Sequence, residues 1–593
     1  MSKSNGHSNG PELKTLIVRI IAGFLGFMMI FSIIVVAVQS YANMATDLKV
    51  GDEIDVGLYY GSELAESFTA DASKGFRIEI PCGESFLSFD DADGVKSVSI
   101  ANGENLSKTE YSFTRAEEGA GVSVGGYRVM LSSYSTKVGA NSKNDNIILF
   151  RPTGETTGTF NADNIRAYIE RISDTVKRLD SYAAPAYIDG QYFICLGGFA
   201  SAELAENFLD AFKVSYNCEA SIIEPDKNVY SVIDHKTGTL LCHFSGIDSL
   251  YLTPVANENF TSLTGGTYFG RLRFENKGGE FQIINTLYME QYVASRLSTE
   301  VDTSWNAEAL KAVATVIRTN AYGSLDADSP HKNENFDLCS TAHCGVYHGC
   351  GSVDDNAINA VDATKNTVIK SDGKLINALY GSTYGGATIS LADAYGEGMS
   401  EKGKYLVEVL SAWEDFEDRS GGRWTAEINP SELYDLLSNR ISDCPLRGNV
   451  KEINTVKRSE SGVYVTEIEF VDIFDNKLTV KGSEVIRNIL TGFVKSAAFS
   501  VGIAGDEVSE ITLHYNSDTK ETVSSETKLT LSGAYGNFVF VGRGQGSGLG
   551  MSLNGVNDLV NKGYSYENAY VDIIKTYYKD VSVETLVTDE GAV

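Results

Sequence analysis

Two groups of side chains in this 593-residue sequence have the types and spacing that do chemistry. The run HKNENFDLCSTAHCGVYHGC, from His331 to Cys350, sets Cys339, His343 and Cys344 at short intervals, with His331, His348 and Cys350 within loop reach. Thiolate and imidazole are donors that zinc prefers, so a tetrahedral zinc site is a reasonable reading; free thiols or a Cys344–Cys350 disulfide are the alternatives. The second feature is Glu300, which falls at a break flanked by Ser298, Thr299 and Asp302. A carboxyl at the mouth between two packed helices is partly desolvated, holds its proton toward neutral pH and serves as a general acid. In an ordinary loop the same residue would have no such role.

The elements around Glu300 follow from periodicity. Two strands meet in a hairpin at Asn276–Gly279, and Leu287, Tyr292, Val293 and Leu297 then have helical spacing. A second helix starts near Asn306 and turns Leu310, Val313, Ala314 and Ile317 to its buried side. Two glycine-rich segments lie downstream, one with Ser382, Tyr384, Gly385 and Gly386, the other running from Gly542 to Gly555. Glycine pairs permit close backbone approach to a ligand, or simply form a turn or bulge. The second segment is no phosphate loop, because it lacks the lysine that follows the glycines there.

The N-terminal run Ile20–Val38 is uncharged and apolar, close to the roughly twenty residues that cross a bilayer. Lys3, Lys14 and Arg19 precede it and acidic residues follow, so a single-pass anchor is expected, with residues 1–19 cytoplasmic and the bulk of the chain outside the cell membrane. A cleaved signal peptide is the other reading, with Ser40 and Ala42 as small residues permitting cleavage. The charge balance, 49 Lys plus Arg against 79 Asp plus Glu, gives −30 and argues against a nucleic-acid partner. The expected organisation is a stalk over 42–72, a β-rich accessory domain with a connecting helix over 73–180, a small αβ unit over 186–234, a large domain over 235–583 and a tail over 584–593. The fold class is α+β, multidomain, with β-rich accessory parts.

Several of these segments match a known pattern. INTLYMEQYVASRLSTEVDTSWNAEALKAVATVIRTNAY resembles the catalytic core of stage II sporulation protein D and its relatives, the SpoIID/LytB group, through Asn285, Leu287, Glu290, Tyr292, Ser298, Glu300, Trp305, Glu308 to Val313, Arg318 and Thr319. It departs at Leu297, where proline is usual, at the inserted Thr299 and at Asn320, where an aromatic is usual. The resemblance makes Glu300 the catalytic residue, with Glu290 as runner-up in a motif that looks structural. FDLCSTAHCGVY is similar to a stretch associated with bound zinc, which implies Cys339, His343, Cys344 and His331 as ligands of a structural ion. The glycine-rich segments resemble the family's substrate walls, implying substrate contacts from Ser382, Tyr384, Gly385, Gly386, Arg543 and Ser547; Ser547 and Leu553 stand where the family has His and Gln. Residues 191–233 resemble a SPOR peptidoglycan-binding module through Tyr192, Phe193, Leu196 to Phe199, or else form a generic αβ subdomain. The activity implied is that of a peptidoglycan lytic transglycosylase acting on glycan strands stripped of stem peptides. The alternative is a non-catalytic wall-binding or amidase-enhancing protein, and the partners implied are glycan strands, a cell-wall amidase or sporulation machinery.

Overall fold

The computed structural model describes residues 52–586 with interruptions, most of them between 83 and 265 and again at 326–330, 397 and 400–402. The expected membrane segment, Ile20–Val38, lies outside the described residues; among those described, no helix is long and apolar enough to cross a membrane. The architecture is mixed α/β and multidomain, with several separate sheets. Two compact units divide the chain, one reaching to Gln291 and taking in His348–Asp355, the other formed by Tyr292–Tyr347 and the chain from Asn356. The expected boundary at residue 235 is therefore not where the units part.

In the first unit an antiparallel sheet runs through the strands Glu53–Tyr59, Phe281–Tyr288, Arg271–Asn276, Ser249–Pro254, Phe76–Cys82 and Ser85–Phe89. Val56, Ile78, Leu250, Leu272 and Ile283 are buried in it, and Phe68 stacks on Phe274 at 4.0 Å between ring centroids. Residues 53–71, expected to form part of a stalk, instead supply two of the unit's strands: Glu53 pairs opposite Tyr288, and Ser67–Asp71 pairs with Ser97–Asn102. Leu287, read as helical, lies in the strand Phe281–Tyr288. That strand is buried on both faces, so its apolar run carries no alternation to tell it from a helix.

A second, mixed sheet of this unit contains the segment that resembles a SPOR module. Gln191–Phe199, the helix Ala202–Tyr216, Cys218–Ile223 and Tyr230–Asp234 follow one another as strand, helix, strand, strand. The first of these strands is flanked by Tyr127–Tyr134 and Tyr182–Ile188, which come from the preceding chain. Of the connecting helix expected over 165–179, only 165 and 167–169 are described, and they are helical.

The second unit is organised on two helices, α1 (Met289–Glu300), whose first turn belongs to the other unit, and α2 (Ala307–Gly323). Asp302 stops the chain between them, accepting from the Ser304 amide at 2.9 Å. Asn306 then caps α2 by accepting from the Glu308 amide, which satisfies a donor with no partner inside the helix. Thirteen residues of α2 are buried, including Arg318, whose guanidinium donates to the Val361 and Thr367 carbonyls and to Thr364. The short strand β1 (Tyr380–Gly381) lies parallel to β2 (Met551–Ser552), and β2 leads into α3 (Leu553–Asn561). A further helix, α4 (Ala569–Tyr577), has the Tyr570 amide of its first turn donating to Glu308.

Asn320, the residue found where the resemblance expects an aromatic, fastens α2 to the approach of β1. Its Nδ2 donates to the Ala378 carbonyl at 3.0 Å and its Oδ1 accepts from the Ala378 amide at 2.8 Å. Asn320→Ala is expected to lower stability by about 1–3 kcal/mol, since it leaves both backbone groups unpaired; denaturant unfolding of the variant against the parent measures this.

Candidate functional site

α1 ends on Glu300, and one turn earlier the same helix carries Arg296. The Arg296 side chain is 2% exposed and that of Glu300 is 21% exposed, with Nη2 to Oε1 at 2.5 Å. Tyr380 on β1 donates its hydroxyl to the same Oε1 at 3.0 Å and accepts from Arg296 Nη2 at 2.9 Å. The second arm of the guanidinium, Nη1, donates to the Val346 carbonyl. The carboxyl expected to be partly desolvated at the mouth between two packed helices is instead held by a buried cation and a phenol. Burial works against the Arg296 charge, but Tyr380, Tyr292 and Glu300 outweigh it and raise the group above its ordinary value. Burial also lifts the Tyr380 phenol well above the usual range, against the Arg296 charge and with Glu300, so it remains a donor. Burial pushes Tyr292 up to about 12.

These groups face a cavity of about 430 Å³ whose lining includes Tyr292, Arg296, Glu300, Asn320, His343 and Cys344. Asp302, two residues beyond Glu300, is exposed, does not line this cavity and is held below the usual carboxylate range by its Ser304 bonds. Glu290 is fully buried and does not line the cavity.

The Cys/His run gathers as its spacing suggests. One ligand atom from each of His331, Cys339, His343 and Cys344 lies within 4.8 Å of all the others. From His343 Nδ1 the distances are 3.2 Å to His331 Nε2, 3.3 Å to Cys344 Sγ and 3.8 Å to Cys339 Sγ. Tetrahedral bonds of about 2.0–2.1 Å to nitrogen and about 2.3 Å to sulfur would put such atoms about 3.3–3.8 Å apart, so the donor set fits zinc. His331 offers its remaining Nδ1 to Glu334 Oε2 at 2.5 Å, the kind of carboxylate support that orients a ligating imidazole. Burial pushes the Cys344 thiol up to about 11, and a bound cation would reverse that by taking the thiolate. His348 and Cys350 are not in the set.

The expected substrate contacts divide. Ser382 is exposed and accepts from Gln545 Nε2 at 2.7 Å, and Ser547 is half-buried with its Oγ accepting from the Leu549 amide. Tyr384, Gly385, Gly386 and Arg543 are buried, and none of the six lines the cavity. Tyr384 donates to the Leu549 carbonyl at 2.8 Å. The glycines approach backbone rather than leaving room for ligand: Gly385 and Gly544, at φ +70° and +66°, sit against each other. A Cβ on Gly385 would meet the Gly544 nitrogen at 2.9 Å, and one on Gly544 would meet the Tyr384 carbonyl carbon at 2.5 Å.

Sequence reasoning missed Arg296, Tyr380 and Glu414. Glu414 is buried under the glycine wall and accepts from Thr383 Oγ1 at 2.5 Å and from the Tyr384 and Gly386 amides at 3.2 and 3.4 Å. Glu414 gives no local signal, because it stands in an acidic run with Asp415, Glu417 and Asp418, and Arg296 gives none, because a lone arginine on a helix usually marks the solvent face.

Residues 277–370 match the SpoIID family model, described as stage II sporulation protein. The chain therefore carries a SpoIID-family domain, and α1, α2 and the Cys/His loop all fall inside it. An uncharacterized protein of Brachyspira hyodysenteriae is 28% identical over 230 residues, 38% of this chain and 58% of that protein. The amidase enhancer of Bacillus subtilis strain 168 is 27% identical over 349 residues, 56% of this chain and 46% of that protein. The chain thus spans about half the length of these relatives.

Burial raises the Glu414 carboxyl above its usual range, more than its hydrogen bonds lower it. The folded state then keeps this proton at pH values where the unfolded chain has released it, so stability falls as pH rises from the ordinary carboxylate range through the raised value. Glu414→Gln removes the titration, and melting temperatures across that interval should fall less steeply with pH in the variant than in the parent.

Proposed function

We propose that this protein is a cell-wall lytic transglycosylase that cuts the bond between N-acetylmuramic acid and N-acetylglucosamine in glycan strands stripped of stem peptides. The observation that carries this reading is Glu300 Oε1, in the segment that matches the SpoIID family, fixed by Arg296 and by Tyr380 from beyond that segment, beside a cavity of about 430 Å³. With a proton carried on Oε2, the oxygen that neither Arg296 nor Tyr380 engages, Glu300 donates to the glycosidic oxygen as the C1–O bond breaks and oxocarbenium character develops at the muramyl ring. The resulting carboxylate accepts the proton of the muramyl O6 hydroxyl as that oxygen closes on C1, giving a 1,6-anhydro ring and restoring the acid. No water is consumed. Because the nucleophile belongs to the substrate, its effective concentration is high and a single carboxyl suffices, in keeping with the position of Asp302 outside the cavity.

His331, Cys339, His343 and Cys344 would hold zinc. Four protein ligands leave no open coordination position, so the ion's contribution is to cross-link the loop that borders the cavity. The protein's own residues carry the proton chemistry. Residues 20–38 would anchor the chain, and 186–234 would bind glycan if they act as a SPOR module.

A second reading, an amidase-enhancing wall protein without glycan cleavage, draws on the name of the Bacillus subtilis relative and on Ser547 and Leu553. Digestion of stripped strands with product mass analysis separates the two. The enzyme reading expects anhydro ends from the parent and a loss of at least about a hundredfold in Glu300→Gln with strand binding kept. A parent that cuts nothing while stimulating an added amidase would sink it. Elemental analysis should find one zinc per chain, with loss of the ion in Cys339→Ser.

A further inference from the structure

Arg296 is an expensive residue to bury. A guanidinium removed from water costs several kcal/mol unless its donors are met; here Nη1 and Nη2 are met in two directions at once, while the buried Nε has no hydrogen-bond partner among the described residues. Nη2 serves Glu300 and Tyr380, whereas Nη1 serves the Val346 carbonyl. Val346 lies two residues beyond Cys344, a member of the Cys/His set. Between them is Gly345, at φ +109°, where an added Cβ would stand 2.1 Å from Arg296 Nη2. The guanidinium therefore occupies the space that any other residue at 345 would need for its side chain. One rigid, planar group is in contact with the loop backbone on one side and the Glu300 carboxylate on the other.

We infer that Arg296 is a positioning residue that ties the Cys/His loop to Glu300, so that the loop's conformation sets where the carboxyl points and the carboxyl's support in turn steadies the loop. Both protein bonds to Glu300 fall on Oε1, from Arg296 and from Tyr380, which assigns Oε2 to the proton transfer. The catalytic half of this inference rests on the role proposed for Glu300. The link to the loop does not.

The test uses the full chain and two readouts, on the parent, Arg296→Lys, Arg296→Met, Gly345→Ala and the double variant Arg296→Met/Gly345→Ala, with thermal unfolding to exclude misfolded samples. The first readout is release of zinc to a chelator in excess. Arg296→Met and Gly345→Ala should weaken zinc retention about 10-fold or more, the usual effect of removing a group that supports the ligands. Arg296→Lys, which keeps the charge and one donor direction, should lie between these and the parent. The second is cleavage of stripped glycan strands. Arg296→Met and Gly345→Ala should lower kcat about 10- to 100-fold with little change in KM, and the double variant should be no worse than Arg296→Met alone. Unchanged zinc release in both single variants, or a chain that neither carries nor takes up zinc, overturns the link. Losses in kcat that multiply in the double variant overturn the positioning of Glu300 through Arg296. A parent that releases no anhydro ends, but whose variants lose zinc faster, removes the catalytic role of Glu300 and leaves the link standing.

Discussion

The need to satisfy one buried guanidinium organises the centre of the second unit. Arg296 sits on a helix that buries Tyr292, Val293 and Leu297 along with the polar Glu290, Gln291 and Ser295. Its charge is tolerable only because a carboxylate, a phenol and a carbonyl converge on it from the end of α1, from β1 and from the Cys/His loop. Three pieces of chain far apart in sequence are therefore held at one point by directional bonds, where apolar contact alone would leave their mutual orientation loose. The cavity is bounded by those same three pieces.

Support for this centre comes from ordinary fold chemistry. Asp302 ends α1 and Asn306 starts α2, so the carboxylate at the last position of α1 is presented at a fixed corner. Asn320 secures the segment that delivers Tyr380, and the parallel pairing of Tyr380 with Met551 brings the C-terminal glycine segment alongside. Each of these is a backbone-directed bond. The side chains that could do chemistry are thus carried on elements whose own amides and carbonyls are already satisfied.

What the sequence disclosed follows the range of the signals. Cys339, His343 and Cys344 were readable because ligand spacing is local, whereas His331 as their fourth member and Glu300 as the acid came from the family resemblance, since spacing alone left His348 and Cys350 open and Glu300 an ordinary loop residue. Arg296 and Tyr380 were not, since their meaning lies in each other and they are 84 residues apart. The strand Glu53–Tyr59 was misread as stalk for the same reason: its partner lies beyond residue 280, and an acidic, Gly-bearing stretch shows nothing of that pairing. The family resemblance makes Tyr384 and Arg543 substrate contacts, whereas the structure buries both, which no local pattern shows.

The back-to-back seating of Gly385 and Gly544 bears on how far these two motifs speak to function. Each glycine exists because the other occupies the space beside it, so the two motifs must persist or vanish together, whatever reaction the protein performs. A descendant that lost its activity would keep both, because the alternative is a collapsed wall. The glycine blocks therefore report packing within this chain and carry no vote on catalysis. Any claim to a working active site has to be decided at the far smaller set of groups around the Glu300 carboxylate.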